Sequence, residues 1–216
     1  MKNLLFLFVL NVTFFSAQTY DFDYLISYSF ESVPSCKGEI AMYVSTKNEN
    51  YELRLTKRDG VMRARLIDYQ YRKSHYFIVN ETWQKAEVLF DFKYDYSTDT
   101  NYFNPSKGFK NEYSLAKDYV ILDSGVENLE LRIYKNSRKK KIESKFSIEF
   151  KKSENLFSAF QHCCIHPHKF TNEENLKNIL VTKATETTKK GQLINYELKT
   201  LKEVNFQLIV PKEPKN

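Results

Sequence analysis

Apolar and polar residues alternate along most of the chain, and the clearest example lies near its beginning. Every second position there carries an apolar side chain: Tyr20, Phe22, Tyr24, Ile26, Tyr28 and Phe30. The positions between them are mostly polar: Asp21, Asp23, Ser27 and Ser29. Because successive side chains of a β-strand point to opposite faces, this period of two predicts a strand with one buried face.

The same alternation predicts further strands along the rest of the chain. Asp59-Gly60 is a two-residue hairpin signal between two of them. They fall at residues 40–44, 51–55, 61–69, 75–79, 88–96, 119–123, 129–134, 142–150, 192–199 and 204–210. Short connections between most of them indicate an antiparallel meander. The predicted fold class is therefore mainly β, with a single strongly curved antiparallel meander of about eleven strands that forms a half-barrel.

Two segments interrupt this alternation. Residues 97–108 are polar and without period, which predicts a loop. Between residues 153 and 181 apolar residues return at helical spacing, so we expect two short helices that cover the apolar face of the sheet. The residues that indicate them are Leu156, Phe157 and Phe160 for the first, and a capping box of Thr171 and Glu174 ahead of Leu176, Ile179 and Leu180 for the second.

The first seventeen residues have the form of a secretory signal peptide. Lys2 precedes an apolar stretch that ends in Ser16-Ala17. This stretch is shorter than the roughly 20 residues that span a membrane, and no later stretch approaches that length. We therefore expect export to the periplasm or the exterior, with residues 1–17 removed and residues 18–216 left as a single β-rich domain. The Ser-Ala-Gln ending resembles the signal peptides of flavobacteria, which implies a bacterial source.

Composition and charge narrow the function classes. The 216 residues include 15 Tyr and 17 Phe but only 5 Gly, which favours strands and disfavours glycine-rich phosphate loops. The net charge is +6, and the densest basic run is Arg138, Lys139, Lys140 and Lys141. We interpret this run as a solvated hairpin tip and, alternatively, as a surface that contacts an envelope protein. We expect no nucleic-acid partner for an exported chain.

The sequence gives no argument for an enzyme. It contains no G-x-S-x-G elbow, no H-E-x-x-H pair, no glycine-rich phosphate loop and no C-x-x-C pair. We therefore name no catalytic residue.

The densest group of chemically active side chains lies at residues 162–168. Thiolate and imidazole are ligands for Zn and Cu, so His162, Cys163, His166 and His168 form a candidate metal site, although their spacing matches no known zinc motif. In an oxidising compartment, Cys36 is alternatively the distant disulfide partner of Cys163 or Cys164. Free thiols are the third alternative.

The C-terminal residues resemble a known family. Tyr196-Glu-Leu-Lys199 followed by Phe206-Gln-Leu-Ile-Val-Pro211 is similar to the closing hairpin of LolA-like proteins, the periplasmic carriers of lipoproteins. The resemblance implies a strongly curved antiparallel sheet covered by helices. That family opens with a helix, whereas this chain enters the strand at residues 20–30 directly. The chain also resembles exported β-sheet proteins of the Bacteroidetes.

These observations lead to three functional hypotheses. The first is a non-enzymatic carrier whose aromatic concavity holds a lipid or another hydrophobic ligand. The second is a structural or interaction protein of the cell envelope, with a core filled by its own side chains. The third is a metal-binding protein that uses the cluster at residues 162–168.

Overall fold

The computed structural model describes residues 17–32, 36–84, 87–99, 115–121, 127–134, 141–164, 176 and 178–211. Within these residues eleven strands form one antiparallel sheet. The strands are β1 (Gln18–Ser32), β2 (Cys36–Val44), β3 (Tyr51–Arg58), β4 (Val61–Asp68), β5 (Lys73–Gln84), β6 (Glu87–Asp99), β7 (Leu115–Ile121), β8 (Glu127–Tyr134), β9 (Ile142–Lys152), β10 (Ile179–Thr188) and β11 (Leu193–Val210). One helix, α1 (Phe157–Cys164), lies between β9 and β10.

The spatial order of the strands is β6-β5-β4-β3-β2-β1-β11-β10-β9-β8-β7. Strands β1 to β6 are each neighbours of the next in the sheet, and so are strands β7 to β11. The two runs meet where β11 pairs with β1, so β6 and β7, consecutive in the chain, lie at opposite edges. The β3–β4 turn shows why the hairpins form, because Asp59 and Gly60 both have positive φ (52° and 78°), as a tight two-residue hairpin turn requires. The predicted meander is confirmed.

Strand β11 is longer than its partner β1 and carries two irregularities. The register of the pair shifts between Phe22 and Tyr24 and again between Ser27 and Tyr28. At each shift β11 holds one residue more than β1, as in a β-bulge, which bends a strand and increases its twist. The sheet therefore changes its curvature at its centre.

Two hydrophobic cores lie against this one sheet. Core 1 is built from the later half of β1 with β2, β8, β9, α1, β10 and the start of β11. Core 2 is built from the beginning of β1 with β2 to β6 and the end of β11. Strand β2 contributes to both, since Met42 and Val44 belong to core 1 and Tyr43 belongs to core 2. Alternate residues of a strand point to opposite faces, so the two cores lie on opposite faces of β2.

Helix α1 covers core 1. It places Ala159 and Phe160 in full burial, and it lies against β1, β2 and β10. The Phe160 ring contacts the rings of Tyr28, Phe146 and Tyr196, with centroids 5.5, 6.3 and 5.8 Å away. The first predicted helix is therefore confirmed, and its apolar stripe packs where the sequence placed it.

The second predicted helix is partly wrong. Ile179 and Leu180, assigned to it from their spacing, belong to strand β10, which the sequence analysis did not predict. Thr171 and Glu174 of the capping box lie outside the described residues, and Leu176 is helical and buried. Ile179, Leu180 and Val181 are buried consecutively, and such an apolar run does not distinguish a buried strand from a helix.

Two further boundaries differ from the prediction. Residues 192–199 and 204–210, predicted as two strands, form the single strand β11, because the bulged pairing with β1 continues through the residues between them. Residues 97–99, predicted as the beginning of a polar loop, extend β6 and pair with residues 73–75 of β5. Residues 100–108 of that loop lie outside the described residues.

Candidate functional site

The cysteines predicted to form a disulfide are separated in the structure. Cys36 and Cys163 are both free thiols, Cys36 being exposed where β2 begins. Cys163 Sγ lies 3.7 Å from Met42 Sδ, and Met42 is six residues along β2 from Cys36. At ~3.3 Å per residue this separation is about 20 Å, whereas a disulfide joins Cα atoms less than ~7 Å apart. The Cys36–Cys163 bridge is therefore absent. The side chain of Cys164 lies outside the described residues.

The surroundings of Cys163 are those of a core residue. Its side chain packs against core 1, and burial raises the pKa of the thiol well above its usual range, with the Glu52 charge adding to the effect. Thiols bind metals and exchange disulfides as thiolates, so this packing keeps Cys163 in its less reactive form.

The candidate metal site falls mostly outside the described residues. His166, His168 and the side chain of His162 lie there, so Cys163 is the one proposed ligand whose surroundings are known. Among the described residues, no group of three or more His, Cys, Asp and Glu side chains is placed to hold a metal ion.

The basic run lies between two paired strands. Tyr134 of β8 pairs with Ile142 of β9, and the run lies between these two residues in the chain. Lys141 is exposed, and Arg138, Lys139 and Lys140 lie outside the described residues.

Strand β3 carries a buried ionic group that the sequence pattern did not predict. Glu52 and Arg54 alternate with apolar residues and read as a solvent face, yet the Glu52 side chain is 0% exposed. Arg54 pairs with Met42 of β2, so these two residues share the core 1 face while Leu53 faces core 2. Arg54 Nε lies 2.5 Å from Glu52 Oε1. The alternation of apolar and polar residues did not predict this burial, because both faces of β3 are covered.

Tyr69, at the end of β4, completes this ionic group. It is hydrogen-bonded with both Glu52 and Arg54. Burial raises the pKa of the Tyr69 hydroxyl above its usual range, and the Glu52 charge raises it further. The buried carboxylate is therefore held by a cation and a neutral phenol, the partnering that a buried charge needs.

The open side of core 2 runs between strands β6 and β11. Four half-buried apolar side chains line it, and we call them the seam: Phe90 and Phe92 of β6, with Val204 and Phe206 of β11. The Phe92 and Phe206 rings lie 5.0 Å apart between centroids, and both contact the Tyr43 ring at 6.1 and 4.9 Å. Side chains from opposite ends of a seven-strand stretch of the sheet therefore meet across core 2.

No backbone ladder joins the two strands of the seam within the described residues. Strand β6 pairs only with β5, and beyond Leu198 strand β11 pairs only with β1. The core is thus closed at this side by rings and not by hydrogen bonds.

One end of core 2 is polar, and we call its five residues the polar end: Tyr20, Asp68, His75, Tyr94 and Ser97. The Tyr20 hydroxyl donates to Asp68 Oδ2 at 2.6 Å, and the backbone N–H of Tyr71 donates to Asp68 Oδ1 at 2.7 Å. His75 Nδ1 and Ser97 Oγ share a hydrogen bond of 2.6 Å, and the Tyr94 hydroxyl lies 2.7 Å from Ser97 Oγ. Burial raises the pKa of Tyr20, and its hydrogen bond with Asp68 adds to the shift.

A shallow cavity of about 320 Å³ lies elsewhere, over strands β9 to β11. Its lining is mostly polar: Ser147, Glu149, Lys183, Ala184, Thr185, Asn195, Tyr196 and Glu197. Lys183 is paired with Glu149 on one side and with Glu197 on the other. This row of alternating charges is typical of a solvated sheet face and offers little apolar surface to a lipid.

No helix within the described part of the chain is long and apolar enough to cross a membrane.

The chain matches no protein-family model and no curated protein. Among solved structures it is similar to the crystal structure of LolA superfamily protein NE2245 from Nitrosomonas europaea. The match has 9% sequence identity and a TM-score of 0.30, and it covers 86% of this chain and 87% of that chain. The weak resemblance to LolA-like proteins is confirmed at this level. At this TM-score it carries no argument about a site or a ligand, which must come from the geometry described above.

Proposed function

We propose that the protein is a carrier or binding module that takes up an apolar ligand at the seam. The observation that supports this proposal is the closure of core 2 by Phe92 and Phe206 without a backbone ladder between β6 and β11. Edge-on or offset ring contacts contribute only about 0.5–1.5 kcal/mol each beyond their buried area. Separating these strands therefore breaks no sheet hydrogen bonds, and its main cost is the exposure of ring surface that a bound ligand would cover again.

The apolar surface that a ligand would cover is already in place. Phe90, Phe92 and Tyr94 follow one another on the core face of β6, half-buried, over about 13 Å at ~3.3 Å per residue. An acyl chain laid along them removes apolar area from water at about 25 cal/mol per Å². This gain in binding free energy offsets the loss of the ring contacts that break when the strands separate.

The test is the binding of a neutral apolar dye, N-phenyl-1-naphthylamine, followed by its fluorescence. We expect saturable binding to the full chain and at least a tenfold loss in Phe206→Lys, because a charge would lie among the seam rings. Ile209→Lys is the matched control, since Ile209 is on the same strand and 58% exposed. Phe90→Lys, at the half-buried edge, serves if the first variant does not fold. Absence of saturable binding, or equal binding by Phe206→Lys and the parent, contradicts the proposal.

A second candidate is a structural or interaction protein of the cell envelope. It is favoured by the filling of both cores by their own side chains, with Phe160 and Leu53 at 0% exposure and Phe77 at 2%. Such a protein would bind its partner through an edge strand or through Arg138–Lys141. Changing Lys139, Lys140 and Lys141 to Glu should then abolish capture of that partner. On this alternative the parent protein should also show no saturable binding of the dye. Unchanged capture argues against the basic surface.

Export and the chemistry of residues 162–168 are further proposals. Export predicts a mature protein that begins after Ala17 or Gln18, which intact-mass measurement of protein from the culture or periplasm can test. For the cluster, a site of His162, Cys163, His166 and His168 predicts bound Zn or Cu by elemental analysis. Absence of metal after mild purification contradicts it.

A further inference from the structure

The polar end of core 2 adjoins the seam. Tyr94 and Ser97 lie on β6, the strand that also supplies Phe90 and Phe92. Tyr20 and Asp68 lie at the ends of β1 and β4 nearest to them, and the Tyr20 and His75 rings are 6.2 Å apart. A ligand lying along the seam rings therefore has hydrogen-bonding side chains at one end of its path.

These side chains are sheltered and are positioned by one another. Asp68 is 2% exposed and His75 is 3% exposed, which is unusual for such polar residues. Ser97 and Tyr94 are half-buried, whereas the other three members of the polar end are buried, so these two hydroxyls are the ones most open to a ligand from the seam. A hydroxyl both donates and accepts, as does the tyrosine hydroxyl beside it.

The charge sheltered within the polar end is that of Asp68. Its carboxylate is 2% exposed and accepts hydrogen bonds from a tyrosine hydroxyl and a backbone N–H, both neutral groups. Lys73 is the partner of Asp68 in the strand pairing. Arg72 and Asp99, of opposite charge, are both exposed. Arg65 of β4 lies on the other face. An anionic group that entered the polar end would meet the Asp68 carboxylate in a sheltered setting.

We infer that the ligand is an amphiphile whose tail lies along the seam and whose uncharged hydroxyl- or amide-bearing head group binds at the polar end. The inference rests on the proposed function and adds the class of head group to it. Carboxylates and phosphates are disfavoured by the buried Asp68, whereas an uncharged head group exchanges hydrogen bonds with Ser97 and Tyr94.

The test compares three amphiphiles with the same twelve-carbon tail as displacers of N-phenyl-1-naphthylamine at pH 7.5, all below their micelle concentrations. Monolaurin, with its glycerol head, should displace the dye at a concentration at least tenfold lower than laurate or dodecyl phosphate. In Ser97→Ala the advantage of monolaurin should fall at least fivefold, while laurate should be little affected. Thr98→Ala is the matched control, because Thr98 is the exposed neighbour on the same strand.

The outcomes distinguish a failure of the head-group inference from a failure of the proposed function. If the dye binds and all three amphiphiles displace it equally, or laurate displaces it best, the head-group inference is wrong and seam binding stands. If Ser97→Ala keeps the full preference for monolaurin, the assignment of the polar end is wrong. If neither dye nor amphiphile binds, the proposed function fails and the inference fails with it.

Discussion

At the scale of single residues, aromatic rings fill the sites that small residues leave open. Gly38 of β2 pairs with Phe30 of β1, and the Phe30 ring lies over the glycine. A Cβ added at Gly38 would be 2.6 Å from Phe30 Cζ and 2.7 Å from Cε1. This glycine is therefore needed for space, whereas Gly60 is needed for its positive φ of 78°.

The first prediction is that Gly38→Ala lowers the free energy of unfolding by about 1–3 kcal/mol, the usual cost of overpacking. Urea unfolding measures it. The control is a double-mutant cycle with Phe30→Ala, in which the added methyl group should cost less than 0.5 kcal/mol once the ring is gone. Equal costs with and without the Phe30 ring would show that crowding is not the cause.

The second prediction concerns the buried phenols. Burial raises the pKa of Tyr43 to about 12, and it also raises the pKa values of Tyr20 and Tyr69. Above pH 10 the unfolded chain loses these protons and the folded chain keeps them, so stability is full below pH 10 and falls as the pH rises further. The buried Cys163 thiol, whose pKa is also raised, should lower the stability in the same way as the pH rises above about 9, near the ordinary pKa of a thiol.

Urea unfolding between pH 7 and 11 checks this dependence. Tyr43→Phe should lose less of its unfolding free energy between pH 9 and 11 than the parent does, because the variant has one buried phenol fewer. Parallel curves for the two proteins would contradict the assigned role of Tyr43.

At the scale of elements, the pairing of the strands determines which parts of the sheet can open. Strand β1 has a ladder on both sides over most of its length, while β6 and the end of β11 are each paired on one side only. The connection that leads into α1 is joined to the connection after β2 by Asn155 Nδ2, which donates to the Thr46 carbonyl at 2.5 Å. The seam therefore belongs to the least constrained part of the described sheet.

The third prediction is a gradient of amide hydrogen exchange. Amides of β1 should exchange slowest, and those amides of β6 that point away from β5 should exchange at least a hundredfold faster, because solvent reaches them without any ladder opening. Exchange followed by NMR gives both rates. Protection of the whole of β6 at the level of β1 would mean that the seam is covered by backbone pairing, contrary to the topology described here.

Sequence patterns predicted the fold where only one face of a strand is buried. Tyr20 to Phe30 alternate cleanly, and β1 forms as expected. The prediction failed where burial is two-sided or consecutive: Glu52, on the strand face opposite Leu53, is buried, and Ile179 and Leu180, predicted as helical, lie in a strand. The seam could not be predicted at all, because Phe92 and Phe206 are far apart in the sequence, lie on strands that do not pair, and meet only in the folded sheet.

At the scale of the whole molecule, one continuous sheet supports two cores. Strands β1, β2 and β11 contribute side chains to both, so unfolding one core removes strands from the other. We therefore propose that residues 18–216 fold as one cooperative unit, in agreement with the single domain expected from the sequence.

The fourth prediction is that the protein unfolds in a single transition, and that a destabilising substitution in either core lowers the midpoint of that whole transition. Phe160→Ala in core 1 and Phe77→Ala in core 2 should each lower the free energy of unfolding by about 3–5 kcal/mol, the usual cost of removing a buried phenylalanine ring. Far-ultraviolet circular dichroism and tyrosine fluorescence should report coincident curves. Two separated transitions, each moved by one variant only, would show two independent units.

The central claim, that the seam receives an apolar ligand, is tested most directly by an NMR titration of the labelled protein with monolaurin. The account predicts saturable shifts of the amides at residues 90–97 and 204–208, with β9 and β10 unchanged. Shifts that do not saturate, or that centre on core 1, would contradict it.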